Sequence, residues 1–148
     1  DVFFEPKKFK INSKKFFIGH GDGLGPGDYG YKFLKLIFRN SFFKFLFSCI
    51  HPDISIRIGE YLSRKNSVIS GKEIKFESNE KELLFNYCKK ILKSDHYNYF
   101  IFGHRHLPLK INLGNNSQYY NCGDWFNHYS YLDFTNSELT LKYFNPEI

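Results

Sequence analysis

Three histidines carry the chemistry that this sequence suggests. Tyr97 to Leu107 reads YNYFIFGHRHL, an aromatic and β-branched run that stops at Gly103 and then presents His104, Arg105 and His106. Lys14 to Asp22 reads KKFFIGHGD and ends in the same way, with Gly19 followed by His20. Short apolar runs rich in Tyr, Phe and Ile favour buried strands. A glycine at a strand's end lets the backbone turn sharply. Neutral imidazole is the commonest metal-binding side chain, and two histidines at i and i+2 of an extended chain point the same way. His104 and His106 are therefore expected on one side. If the two strands are neighbours, His20 joins them in a metal site at the strand tips, where α/β sheets gather ligands.

The elements that position these residues follow from the rest of the chain. Asn12-Ser13 marks a turn between a first short strand and Phe16 to Ile18. Gly19 to Asp28, with five glycines and a proline, can be neither helix nor central strand. Tyr29 to Ile50 has Lys32, Lys35 and Arg39 on one helical face and Leu34, Ile37 and Phe38 on another, with Asn40-Ser41 as an interruption. Phe42, Phe43, Phe45 and Phe47 exceed what one core-facing stripe needs. Two readings stand: a helix buried on two sides, or a lid with apolar and basic faces for lipid. Ile54 to Arg64 predicts a further helix, Asn66 to Asn79 a loop, and Glu80 to Leu92 a helix burying Leu83, Leu84, Tyr87, Cys88 and Ile91. The order strand, helices, strand predicts a crossover. Gly114-Asn115-Asn116 predicts a hairpin between Lys110–Leu113 and Gln118–Cys122. Tyr129–Phe134 and Glu138–Phe144 are the final strands, turning at Asn136-Ser137.

The 148 residues suit one α+β domain, with 42% hydrophobic and 20% aromatic residues to build a core. The chain begins at Asp1 and has no methionine, so we expect a portion of a longer product. The net charge of +6 points to an anionic partner or to a compositional bias towards Lys, Asn, Phe and Ile. No secretory signal and no uncharged run of membrane-spanning length is present. Cys49, Cys88 and Cys122 lack C-x-x-C spacing and read as small buried hydrophobes of a reducing compartment.

Gly19-His20 and Gly103-His104-Arg105-His106 resemble the last two of five motifs in the calcineurin-like metallophosphoesterases. GHGDGLGPGDYGYKFLK, FIFGHRHLPL and YYNCGDW resemble the UDP-2,3-diacylglucosamine diphosphatase branch found in Bacteroidetes-type bacteria. The resemblance runs from about Lys14 to Phe144 and identifies residues 1–148 as the carboxy-terminal portion of one domain, with a helical lid inserted at about 29–75. It implies part of an αββα sandwich around two divalent ions, usually manganese. His20 and His104 would bind one ion and His106 the other. The family's D-x-H, G-D-x-x-D and G-N-H-D motifs are absent from this sequence, and the family carries them upstream of the His20 strand. This chain alone is therefore expected to be inactive. The resemblance implies hydrolysis of a pyrophosphate, attacked at the α-phosphorus, to UMP and 2,3-diacylglucosamine 1-phosphate for lipid A. It further implies a cytoplasmic protein at the inner-membrane surface, with Asp28, Tyr31 and Arg64 on the acylated sugar and Asp22 orienting its neighbours. Two other readings remain: a calcineurin-like phosphoesterase acting on a soluble phosphodiester or nucleotide, and a non-catalytic remnant with a structural zinc. No nucleic-acid-binding pattern is present.

Overall fold

Three strands carry paired aromatic residues, Phe16-Phe17, Tyr99-Phe100 and Tyr119-Tyr120, and successive strand side chains point to opposite faces. Both faces of such a sheet must be covered. In the computed structural model, which describes residues 3, 5–25, 29–70, 78 and 82–145, both are. Five strands, β1 (Lys7–Ile11), β2 (Lys14–Ile18), β3 (Tyr99–Phe102), β4 (Pro108–Gly114) and β5 (Ser117–Cys122), form one sheet in the order β1-β2-β3-β5-β4. The β2–β3 and β3–β5 pairs are parallel, and the outer pairs are antiparallel hairpins. A second, two-stranded sheet pairs β6 (Ser130–Thr135) with β7 (Glu138–Tyr143).

On one face, Phe17, Phe100, Phe102 and Tyr119 pack with Leu84 and Cys88 of helix α4 (Leu83–Ile91). On the other, Phe16, Tyr99 and Tyr120 pack with Leu139 and, from β6 and β7, with Leu132, Phe134 and Leu141. The result is an α+β arrangement of helix, sheet and sheet, as the sequence predicts. Each fully buried ring contributes about 1.5–3 kcal/mol. The hairpin turns sit where expected: Asn12, Ser13, Asn115, Asn116, Asn136 and Ser137 all have left-handed φ, a conformation that Asn tolerates best among residues with a Cβ.

The chain divides into two units, Gly27–Lys75 and the remainder. Within the first, α1 (Tyr29–Arg39) and α2 (Ser41–Ser48) meet at Asn40, whose side chain accepts a hydrogen bond from Phe42 N at 2.9 Å. That cap starts α2 where the sequence suggests an interruption. No residue of α2 is buried, and Phe42, Phe43, Phe45 and Phe47 are all exposed. Of the two readings of this stretch, burial on two sides is not the one seen. Helix α3 (Pro52–Ser70) starts two residues before the expected Ile54 and runs past the expected loop start at Asn66. Proline is accepted at a first helical position, and nothing between Asn66 and Ser70 breaks the helix. Among the described residues no helix is long and apolar enough to cross a membrane.

Three further expectations need correction. Helix α4 begins at Leu83 after an extended Glu82, whereas the sequence predicts helix through Glu82 from Glu80, which lies outside the described residues; Leu83 is exposed while Leu84 and Cys88 are buried. Residue 82 takes the extended cap conformation, which delays the helix; Leu84, Cys88, Tyr87 and Ile91 keep the expected apolar face, and only Leu83, in the first turn, falls off it. Cys49 is exposed, because α2 buries nothing, whereas Cys88 is buried and Cys122 half-buried.

Candidate metal centre

Strands β2 and β3 lie side by side in parallel, with Ile18 opposite Ile101, so their carboxyl ends meet. The backbone then stitches the two tips together. Gly19 N donates to Ile101 O at 3.0 Å. The carbonyl of His20 accepts from both Gly103 N at 3.0 Å and His104 N at 2.9 Å. The side chains follow: the His20 and His104 rings stand edge to face, 5.3 Å between centroids. His20 is exposed and His104 half-buried. A Cβ on Gly103 would stand 4.0 Å from His20 Nδ1, so the ring passes over a position without a side chain.

His106 is reached differently from the period-two expectation. Its amide donates to Gly103 O at 3.2 Å and its φ is 52°. Residues 103–106 thus form a turn, and His106 sits exposed at its end. The alternation of an extended strand does not apply to His104 and His106, because the strand has already ended at Phe102. Among the described residues no group of three His, Cys, Asp or Glu is arranged to hold a metal ion. The structure brings His20 and His104 together. Asp28 lies outside the described residues. Tyr31 falls in α1 and Arg64 in α3, and their side chains lie outside the described atoms.

Two features beside the histidines carry no signal in the sequence. Arg105 Nε stands 3.2 Å from Glu82 Oε2, and the Glu82 side chain is 2% exposed. Glu82 reads as an ordinary charged residue at a helix start, and nothing local announces a partner on a distant turn. The second feature is the loop after β5. Asp124 accepts hydrogen bonds from the amides of Phe126 at 3.0 Å and His128 at 3.3 Å, from that of Asn127, and from His128 Nδ1 at 3.1 Å. The Asn127 amide above all, then the His128 side chain, hold its carboxyl well below the usual range. This acid is committed to its loop.

The donor chemistry suits a divalent ion in part. Two adjacent imidazoles are good ligands for first-row divalent metals. Two ions at close range also need a bridging carboxylate, and none joins the histidines among the described residues.

Fold and site together define an α+β protein of two sheets in which imidazoles from adjoining parallel strands meet at their carboxyl tips. The chain is similar to the UDP-2,3-diacylglucosamine hydrolase of Porphyromonas gingivalis (strain ATCC BAA-308 / W83), with 26% identity over 147 aligned residues. The match covers 90% of this chain but 56% of that relative, so the chain spans little more than half its length. No protein-family model matches the chain.

Proposed function

We propose that this chain is part of a metal-dependent hydrolase of the calcineurin-like kind, which cleaves the pyrophosphate of UDP-2,3-diacylglucosamine to UMP and 2,3-diacylglucosamine 1-phosphate. The observation that carries the reading is the His20–His104 ring pair at 5.3 Å, built from the two motifs that resemble that family. The similarity to the Porphyromonas gingivalis hydrolase supports the choice of substrate. His20, His104 and His106 would hold the metal, with manganese the expected ion, alongside carboxylates from the longer protein. When bound, such ions supply Lewis acidity and lower the pKa of water.

The chain's own residues have separable tasks. The His20 carbonyl fixes the spacing of the two strand tips by accepting two amides. The helical unit exposes Phe33, Leu36, Phe42, Phe45 and Ile56 and carries Lys32, Lys35 and Arg39 on α1, apolar and basic residues suited to acyl chains and anionic head groups. We read it as a lid that works at the inner-membrane surface, with Asp28, Tyr31 and Arg64 as its candidate contacts to the acylated sugar.

The test is hydrolysis by the full-length protein of UDP-2,3-diacylglucosamine set against a simple aryl phosphodiester. The nucleotide should be preferred by kcat/KM and should yield UMP. Preference for the aryl ester would overturn the lipid substrate and favour a soluble phosphodiester. Inactivity on both would leave the remnant reading.

A further inference from the structure

Glu82 is an unusual helix cap. It has the extended cap conformation, φ −76° and ψ 108°, yet its side chain makes no capping hydrogen bond. The carboxylate turns instead to Arg105, in the turn between His104 and His106. A carboxylate that is 2% exposed must be paired, or its desolvation cost is prohibitive. Even paired, it is a poor stability device, because apolar replacements of such pairs are often neutral or stabilising. The surroundings are polar as well. Glu82 Oε1, Tyr119 Oη and Asn121 Nδ2 are buried without hydrogen-bond partners among the described residues, and Arg105 Nε faces Glu82 Oε2 at ion-pair distance without hydrogen-bond alignment. Burial first, and next the charge of Glu82, push the Tyr119 phenol upward. The Asn121 side chain is tied at its other end, where Oδ1 accepts from Gly123 N at 3.1 Å.

Arg105 is the member of this cluster that reaches solvent, with 34% of its side chain exposed. A guanidinium has five N–H donors in a rigid fork, and the Nε edge is the one turned to Glu82. Among the described residues Glu82 is the acid paired with this guanidinium, and the Nη donors of Arg105 are the ones that can meet a second anion. Arginine is the side chain best matched to phosphate oxygens, and its value there depends on being held in orientation.

We infer that Glu82 is a positioning residue that holds Arg105 ready to receive a phosphate oxygen of the substrate beside His104. This rests on the phosphoester reading above. It adds an anion-binding cation within the histidine turn and a buried carboxylate that orients it.

The experiment uses inorganic phosphate as the probe, on the full-length protein in the presence of a chelator, so that no metal contributes. The Arg105 Nε–H signal is followed by NMR. In the wild type it should be resolved, protected from exchange by the burial of Nε against Glu82, and shifted by phosphate. Glu82→Gln should abolish the protection and weaken phosphate about tenfold, with Glu82→Asp recovering part of the loss. Arg105→Lys should weaken phosphate by a similar factor, since a lysine cannot reproduce the fork. A wild-type signal that phosphate leaves unmoved overturns the inference. So does a Glu82→Gln variant with unchanged protection and affinity. Should that variant fail to fold, Arg105→Lys decides: full phosphate affinity in it sinks the proposal. No turnover is needed, so failure to hydrolyse the nucleotide would be seen separately.

Discussion

The rings of His20 and His104 meet at 79° with 5.3 Å between centroids, although helices α1 to α4 intervene in the chain between them. The contact follows from parallel pairing of β2 with β3 and from one carbonyl, that of His20, accepting two amides across the strand tips. On the proposed reading both imidazoles serve the same ion. His104→Ala in the full-length protein should therefore lower the affinity for manganese by more than about tenfold, since even outer-sphere partners of metal sites are worth about 10–100-fold. Metal content after dialysis measures this. An unchanged content would remove His104 from the ligand set.

Gly21 joins this tip to the helix behind it. Its φ is 106°, and a Cβ there would stand 3.1 Å from Leu84 Cδ1, 3.2 Å from His104 Cβ and 3.3 Å from Phe102 Cβ. Both backbone strain and crowding oppose a side chain. Gly21→Ala should cost about 1–3 kcal/mol, read as a lower urea midpoint. A midpoint equal to that of the wild type would show that the backbone does not need glycine here.

Phe102 tests the core beneath the site. It is 0% exposed and packs its ring against Phe17, Tyr87 and Tyr119. Phe102→Ala should destabilise by about 3–5 kcal/mol, because a cavity among rings held by three strands and a helix collapses poorly. A loss under about 1 kcal/mol in denaturant would mean that the face packed by α4 is not filled as described.

The Asp124 loop should respond to acid. Its carboxyl is depressed chiefly by the Asn127 amide, so the folded state binds that proton later than the unfolded chain does. The sign follows: the stabilisation is present above the unfolded value of about 3.9 and is lost as the pH falls through the lower folded value. Trp125, the single tryptophan of the chain, is the reporter next to it. Its emission should hold from neutral pH to about pH 4 and move to the red only further down. Asp124→Ala should show the red-shifted emission already at neutral pH. If the two proteins have superimposable pH profiles, the carboxylate does not organise this loop.

Much of this architecture was legible from short-range signals. Asn12-Ser13, Asn115-Asn116 and Asn136-Ser137 announce their hairpins because polar residues that tolerate left-handed φ stand there between apolar runs. The glycine–histidine endings announce the tips of β2 and β3 for a different local reason: the missing side chains leave room for Pro6 at Gly19 and for the His20 ring at Gly103. What was hidden is non-local. The Glu82–Arg105 pair depends on where α4 docks, and no spacing encodes that. The turn that carries His106 was misread because the strand's alternation was carried past Gly103, where the aromatic run ends, and nothing in His104-Arg105-His106 announces the left-handed φ of His106. Asp124 looked like one acid in a G-D-W string, and its role appears only when the amides of the following residues fold back on it.

The helical unit yields the sharpest contrast between stability and binding. Phe42 and Phe45 are each 67% exposed on α2, so replacing them removes almost no folded-state packing. Surface changes of this kind usually lie within about 0.5 kcal/mol. If the unit meets lipid, however, each ring contributes to the apolar face that enters the head-group layer, and Lys32, Lys35 and Arg39 add attraction to anionic lipids. Phe42→Ser combined with Phe45→Ser should leave the urea midpoint unchanged while reducing co-sedimentation with vesicles rich in an anionic phospholipid by about tenfold or more. High salt should weaken the wild type further through the basic residues, because that part of the attraction is screened. Equal sedimentation of the double variant and the wild type would show that these phenylalanines face something other than a bilayer.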